Sequence, residues 1–131
     1  MRTILLVEDD KDAGNAFRET LQADGYRVEI ASDARQAMER LEYAAFDAVV
    51  SDLELDGPGG KEVLAWVKGD PRMQQLPVII HTAFPITAQL RFGLHDAAAV
   101  VEKDGRFERV RETLDRLFRG TAERHVPSAA P

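Results

Sequence analysis

Five short apolar runs, separated by segments of helical periodicity, constrain the fold of this chain more than any other feature. The runs are residues 4–7, 27–31, 46–51, 77–80 and 97–101. Between them, apolar side chains recur every three or four residues, as expected for helices that bury one face. This alternation predicts a parallel sheet covered by helices on both faces. With right-handed crossovers, the simplest result is an α/β fold with a doubly wound, flavodoxin-like sheet of five parallel strands in the order 2-1-3-4-5.

Local signals place the ends of the helices. Gly25 suits the left-handed turn that ends the first helix, and Asp33 begins a capping-box pattern at the start of the second. Pro85 suits the first turn of the fourth helix. The last helical stripe ends near residue 119, and the chain then becomes rich in Thr, Ala, Pro and Ser. We therefore predict a domain at residues 1–119 and a flexible C-terminal tail at 120–131.

Four of the five runs end in polar residues that suit phosphate chemistry. They are followed by Glu8 and Asp9, by Asp52, by Thr82 and by Lys103. The carboxyl ends of parallel strands lie at one edge of a sheet, and strands one and three are neighbours at the switch point of the predicted order. These side chains are therefore expected to share one crevice.

Three carboxylates in one crevice require a compensating charge. Two like charges about 4 Å apart repel by roughly 4 kcal/mol at an effective dielectric near 20. A set of oxygen ligands without His or Cys favours a hard cation, and a few carboxylates with water suit Mg²⁺. The candidate ligands are Asp9, Asp52 and, through water, Glu8.

The same residues fit the needs of phosphoryl transfer, which depends mainly on positioning and charge. Asp52 would attack phosphorus as a carboxylate nucleophile. The Thr82 hydroxyl and the Lys103 ammonium group would bind phosphoryl oxygens, and Ala83 is small enough to leave the group room.

Each of these residues also has a purely structural explanation. Asp9 and Asp10 are both placed to cap the first helix, and an Asp such as Asp52 is common in turns. Thr82 suits a strand, and Lys103 suits the surface. Their joint occurrence at successive strand ends favours a shared site.

Composition excludes several classes of protein. The 131 residues suit one domain, and the absence of cysteine excludes disulfides, a thiol nucleophile and a thiolate metal site. The net charge of −6 argues against nucleic acid as a direct partner. No apolar run reaches the length of a bilayer, and the chain does not start with a signal peptide, so we predict a cytoplasmic protein with no membrane partner. Basic residues within 103–119 alternate with acidic ones, which predicts a solvated helix face, with a partner-docking face as the alternative.

These residues resemble the receiver domain of bacterial two-component response regulators, from Thr3 to about Arg119. The resemblance rests on ordered motifs: the opening strand and acidic pair at 4–10, the phospho-acceptor strand at 46–53, the helix-opening Gly60, the strand-four Thr within 77–83, and Lys103.

The resemblance implies that Asp52 receives a phosphoryl group from the phosphohistidine of a sensor histidine kinase or from a phosphotransfer protein. It implies a Mg²⁺ site formed by Glu8, Asp9, Asp52 and the main-chain carbonyl of Glu54. Thr82 and Lys103 would detect the acyl phosphate and switch a surface for an unidentified output protein. Such a domain accepts phosphate on its own Asp and loses it again, and does not turn over external substrates.

By the same resemblance, Glu54 and Phe84 flank the path of the water that hydrolyses the acyl phosphate. Because Phe84 is bulky, we predict a comparatively long-lived acyl phosphate.

The chain departs from the family pattern at three positions. Val100 replaces the usual switch aromatic of strand five, Asp104 replaces the proline that usually follows the lysine, and Asp56 stands where proline is common. Together with Ala83 and Phe84, Val100 and Asp104 are the predicted switch and modulating positions. The usual aromatic read-out cannot operate, so the route by which the signal leaves the domain is open.

The leading prediction is a stand-alone receiver, because residues 120–131 are too few to form an output domain. A second hypothesis is a receiver-like interaction module that works without phosphorylation. A third is a phosphatase similar to the haloacid dehalogenases, which the reversed order of the motifs disfavours. The sequence leaves open a homodimer through the face formed by helix four, strand five and helix five.

Overall fold

Five strands and five helices alternate along residues 1–129, the part of the chain that the computed structural model describes; side chains are described up to Arg119. The strands are β1 (Thr3–Val7), β2 (Arg27–Ala31), β3 (Ala48–Asp52), β4 (Val78–Thr82) and β5 (Ala99–Glu102). The helices are α1 (Lys11–Ala23), α2 (Ala34–Tyr43), α3 (Gly60–Gly69), α4 (Ala88–Gly93) and α5 (Glu108–Ala129). No helix in this part of the chain is both long and apolar enough to cross a membrane.

The strands form one parallel sheet in the order β2-β1-β3-β4-β5, which confirms the predicted fold. The register aligns the carboxyl ends of the strands. Val7 pairs with Ser51, Asp52 pairs with His81, and Thr82 pairs with Glu102. Each residue that follows β1, β3, β4 or β5 therefore emerges at the same edge.

Alternate residues of the strands face two separate hydrophobic clusters, one on each side of the sheet. On the side of α2 and α3, the cluster includes Leu5, Val49, Ile80, Leu41, Val63 and Val67. On the side of α1 and α5, it includes Ile4, Val50, Ile79, Phe17, Val110 and Leu114. β3 and β4 are buried along their whole length, as expected for central strands of a parallel sheet. Full burial of one such aliphatic side chain stabilises the fold by roughly 1.5–3 kcal/mol.

Capping side chains fix the starts of the first two helices. The Asp10 carboxylate accepts hydrogen bonds from the amides of Asp12 and Ala13, so Asp10, and not Asp9, caps α1. Asp33 caps α2 by accepting from the Gln36 amide, as predicted. Asp9 therefore does not serve as the helix cap.

The start of α4 differs from the prediction. Its N-cap is Thr87, whose hydroxyl accepts a hydrogen bond from the Leu90 amide, and the helix begins at Ala88. Pro85 therefore precedes the helix instead of lying in its first turn. The side-chain cap at Thr87 determines the start, and the fixed φ of proline is accommodated in the preceding loop.

The last helix continues past its predicted end. α5 starts at Glu108 and its backbone remains helical to Ala129, beyond residue 119. Extending an existing helix adds one hydrogen bond for each residue fixed, although Gly120 and Pro127 in this segment disfavour helix. The flexibility of the segment from residue 120 stays a prediction, and residues 130–131 lie outside the described part of the chain.

Candidate functional site

An acidic cluster forms at the carboxyl ends of β1 and β3, as predicted. Oxygen atoms of Glu8, Asp9 and Asp52 all lie within 4.8 Å of one another. Glu8 and Asp52 are buried, whereas Asp9 is exposed. Burial raises the pKa of Glu8, and the nearby charge of Asp52 acts in the same direction. These oxygens provide a donor set suited to a hard divalent cation.

Lys103 balances part of this negative charge. Its Nζ lies 2.9 Å from Asp52 Oδ2 and 4.0 Å from Glu8 Oε1. Burial alone would lower the pKa of Lys103, but the hydrogen bond to Asp52 and the charges of Asp52, Glu8 and Glu54 together raise this pKa. The ammonium group therefore stays charged beside the Asp52 carboxylate.

The loop after β3 holds the acidic cluster in place through its backbone. The Glu54 amide donates to Asp52 Oδ1 at 3.2 Å, and the Asp56 amide donates to Asp9 Oδ2 at 3.1 Å. The predicted Mg²⁺ ligation by the Glu54 carbonyl stays a prediction. The sequence pattern marked Asp56 only as a departure from the family, and its bond to Asp9 was not foreseen.

Glycine is required where this loop meets α3. A Cβ atom on Gly60 would lie 2.5 Å from the carbonyl oxygen of Asp52, and one on Gly59 would lie 2.6 Å from that of Leu53. Gly60 starts α3, as its motif predicts, and its amide donates to the Leu53 carbonyl at 3.1 Å. The close approach keeps β3 and α3 in contact directly behind Asp52.

Thr82 lies at the same edge of the sheet, but its hydroxyl is engaged by Glu54. Its Oγ1 donates to the Glu54 carboxylate at 3.1 Å and 3.2 Å to the two oxygens, and accepts from the Phe84 amide at 3.0 Å. Thr82 has no solvent exposure. Sequence reasoning assigned Glu54 a carbonyl ligand and a position beside the water path, and missed its side-chain bond to Thr82. The available signal was a carboxylate two residues after Asp52.

Two of the predicted modulating residues, Ala83 and Phe84, directly follow Thr82 in the chain. Both are exposed, Phe84 to 57%. Val100, where an aromatic was expected from the family pattern, packs against the hydrophobic cluster on the side of α2 and α3. The shielding role of Phe84 stays a prediction.

Asp104 has a structural role that its sequence position did not indicate. Its carboxylate accepts hydrogen bonds from the backbone amides of Arg106, Glu108 and Arg109 at 2.8–3.2 Å. Burial would raise the pKa of Asp104, but these amide donors outweigh it and lower this pKa. Asp104 therefore stabilises the loop between β5 and α5 as a carboxylate.

This loop also contains an aromatic residue in a left-handed conformation. Phe107 has a φ of 61°, and its ring stacks on Phe17 of α1 with 4.3 Å between ring centroids. Phe17 and His81 also form an edge-to-face pair, with 5.3 Å between their ring centroids. A left-handed residue other than glycine costs roughly 1–2 kcal/mol, and an aromatic pair returns about 0.5–1.5 kcal/mol. The stacking therefore offsets most of the backbone cost.

A five-stranded parallel sheet with paired acidic residues, a buried threonine and a lysine at one edge defines a receiver-type signalling module. Residues 4–115 match the family model of the response regulator receiver domain. The chain belongs to this family, which confirms the resemblance carried by its motifs.

Individual relatives agree with this assignment. The polar-differentiation response regulator DivK of Brucella anthropi is 29% identical over 83 residues, which cover 63% of this chain and 68% of DivK. The response regulator TrrA of Thermotoga maritima, solved in complex with Mg²⁺ and BeF, is 25% identical with a TM-score of 0.80, over 89% of this chain and 99% of TrrA. TrrA has also been solved in complex with the histidine kinase ThkA, with a TM-score of 0.79, 25% identity, and coverage of 89% and 98%.

Proposed function

We propose that Asp52 receives a phosphoryl group from the phosphohistidine of a sensor histidine kinase or of a phosphotransfer protein. The observation that carries this proposal is the contact between Asp52 and Lys103, 2.9 Å apart, beside the two further carboxylates of the acidic cluster. Membership of the receiver family supports it, and the complex of TrrA with a histidine kinase supports the class of donor.

The transfer forms a bond between an Asp52 oxygen and phosphorus as the bond from phosphorus to the histidine nitrogen breaks. Lys103 lies where its charge offsets the negative charge of the entering group. Ala83 is small and exposed, so it leaves access from solvent. The protein holds its own phosphoryl group and later loses it to water, and is not a multiple-turnover enzyme on external substrates.

The acidic cluster fits Mg²⁺, because its oxygen donors are hard and converge within 4.8 Å. We propose Glu8, Asp9, Asp52 and the Glu54 carbonyl as the residues that hold the ion. When bound, Mg²⁺ supplies positive charge to the phosphoryl oxygens. The complex of TrrA with Mg²⁺ and BeF supports this assignment.

The acyl phosphate would change a surface that an output protein binds. Because Val100 replaces the family's aromatic, that protein reads the state of the domain without it. A cytoplasmic location, the absence of nucleic-acid and membrane partners, and a homodimer through α4, β5 and α5 stay predictions.

Acetyl phosphate with Mg²⁺ tests the proposal without the cognate kinase. We expect the intact protein to gain the mass of one phosphoryl group, and Asp52→Asn or removal of Mg²⁺ by a chelator to abolish the gain. Asp10→Asn is the matched control, because Asp10 caps α1 and its replacement leaves the acidic cluster complete. No gain in the native chain, or the same gain in Asp52→Asn, would refute Asp52 as the acceptor and favour a module that works without phosphorylation.

A further inference from the structure

The Thr82 hydroxyl has one proton, and in this structure the proton is donated to the Glu54 carboxylate. The hydroxyl oxygen is itself an acceptor for the Phe84 amide. A hydroxyl can donate only once, so Thr82 cannot bind a phosphoryl oxygen while it donates to Glu54. Glu54 and a phosphoryl group on Asp52 would thus compete for the same proton.

We propose that Glu54 is a positioning residue that holds Thr82 in the unphosphorylated arrangement and sets the free energy needed to switch it. This inference rests on the proposed phosphorylation of Asp52. It adds a side-chain role for Glu54 that is separate from its carbonyl.

Thr82 is more deeply buried than Glu54, and this difference gives the Thr82 hydroxyl two alternative hydrogen-bonded states. Thr82 is fully buried, so a hydroxyl released by Glu54 finds no solvent and needs another acceptor. Glu54 is only half-buried, so its released carboxylate regains water. Donation to Glu54 and donation to a phosphoryl oxygen are therefore the two satisfied states of Thr82.

The backbone places Glu54 where the competition occurs. Its amide donates to Asp52 Oδ1 at 3.2 Å, so the acceptor and its competitor belong to the same short segment. A ligand shifts a two-state equilibrium only by its difference in affinity for the two states. A stronger bond from Thr82 to Glu54 therefore weakens the apparent binding of any phosphoryl mimic.

Titration with beryllofluoride in the presence of Mg²⁺ measures this effect on the whole chain. Hydrogen bonds to charged groups contribute enough to shift an equilibrium by about tenfold or more, so we expect Glu54→Ala to bind the mimic about tenfold more tightly. Glu54→Gln keeps an acceptor oxygen without the charge and should gain less. Glu19→Gln, on the exposed face of α1, makes the same change in net charge and should match the native chain.

A double-mutant cycle separates the hydrogen bond from simple charge repulsion. Thr82→Val keeps the branched shape and removes the hydroxyl. If Glu54 acts through Thr82, adding Glu54→Ala to this background should change the affinity by no more than about twofold. An equal gain with and without the hydroxyl would overturn the inference, because the carboxylate would then act only by repelling the mimic.

The resonance of the Thr82 methyl group provides a readout before any mimic is added. In the Glu54→Ala variant without beryllofluoride, we expect this resonance to move toward the chemical shift that it has in the native chain with beryllofluoride bound. An unchanged resonance together with an unchanged affinity would overturn the inference. Failure of the native chain to bind beryllofluoride would instead refute the proposed function, and the inference with it.

Discussion

Two halves of one sheet edge follow the family pattern to different degrees: the proposed acceptor side at β1 and β3, and the proposed read-out side at β4 and β5. On the acceptor side, Glu8, Asp9 and Asp52 keep the expected residue types and converge within 4.8 Å. On the read-out side, Val100 and Asp104 replace the usual residues, and Asp104 caps the following loop. Phosphoryl transfer needs a fixed set of charges, whereas the surface that responds to it can be built in more than one way.

Lys103 connects the two halves, and its removal is expected to have the largest effect. Loss of one group that stabilises developing charge typically slows a reaction by about 10²–10³-fold. We expect Lys103→Ala to slow phosphorylation by acetyl phosphate by about this factor, measured by intact mass against time. Arg106→Ala, in the same loop, is the control. A loss of less than about threefold would mean that Lys103 serves the read-out side alone.

His81 tests the read-out side through its titration. Burial, and then the charge of Lys103, lowers the pKa of His81 to about 4 from a usual value of 6.5. Between these values the unfolded chain binds the extra proton, so stability falls as the pH drops from 6.5 to 4 and this contribution then levels off. The loss amounts to up to about 3 kcal/mol.

Urea unfolding at a series of pH values measures this contribution. Carboxylates also titrate in the lower part of the range, so the relevant quantity is the difference in the free energy of unfolding between the native chain and His81→Phe. This variant keeps an aromatic ring beside Phe17. The native chain should lose stability relative to His81→Phe as the pH falls below 6.5, and the difference between them should be constant above pH 6.5. If the free energies of unfolding of the two proteins changed in parallel with pH, the pKa of His81 would not be lowered in the folded protein.

Asp104 is expected to have a smaller effect, on stability. Loss of a capping carboxylate costs about 0.5–2 kcal/mol. We expect Asp104→Ala to lower the free energy of unfolding by about 1–2 kcal/mol in urea, and Asp104→Asn to restore much of it. Glu19→Ala on the surface of α1 is the control. If Asp104→Ala is as stable as the native chain, the loop does not depend on this carboxylate.

Phe84 is expected to have the smallest effect, on the lifetime of the acyl phosphate. Phe84 is 57% exposed, so the predicted shielding by its ring is partial. Replacement by Ala should speed dephosphorylation a few-fold. The rate is measured as the loss of label from the phosphorylated protein. Phe92→Ala removes another exposed ring, on α4, and should leave the rate unchanged. An unchanged rate in Phe84→Ala would disprove the shielding.

The fold and the acidic cluster were predictable because both depend on patterns that can be read directly from the amino-acid sequence. The alternation of strands and helices predicts a parallel sheet, and its order brings the carboxyl ends of β1 and β3 together. No knowledge of side-chain conformation is needed for Glu8, Asp9 and Asp52 to converge.

The bond between Thr82 and Glu54, the cap at Asp104 and the conformation of Phe107 were not predictable in this way. Each depends on the backbone path of a loop, such as the left-handed turn at Phe107 with φ of 61°. Asp104 followed by Gly105 is a common turn signal, but it does not specify which amides the carboxylate meets. The partners of these loop hydrogen bonds therefore depend on the three-dimensional path of the backbone, which the sequence pattern does not specify.

The close approach at Gly60 has a consequence for how freely this chain can vary. A side chain there would collide with the Asp52 carbonyl, whereas a methyl group added to Gly69 would have no neighbour within 4 Å. In a library randomised at both positions and selected for phosphorylation, position 69 would accept many residues and position 60 would return as glycine. Position 60 is thus restricted although its residue has no reactive group, because the Asp52 backbone occupies the space that a side chain would need.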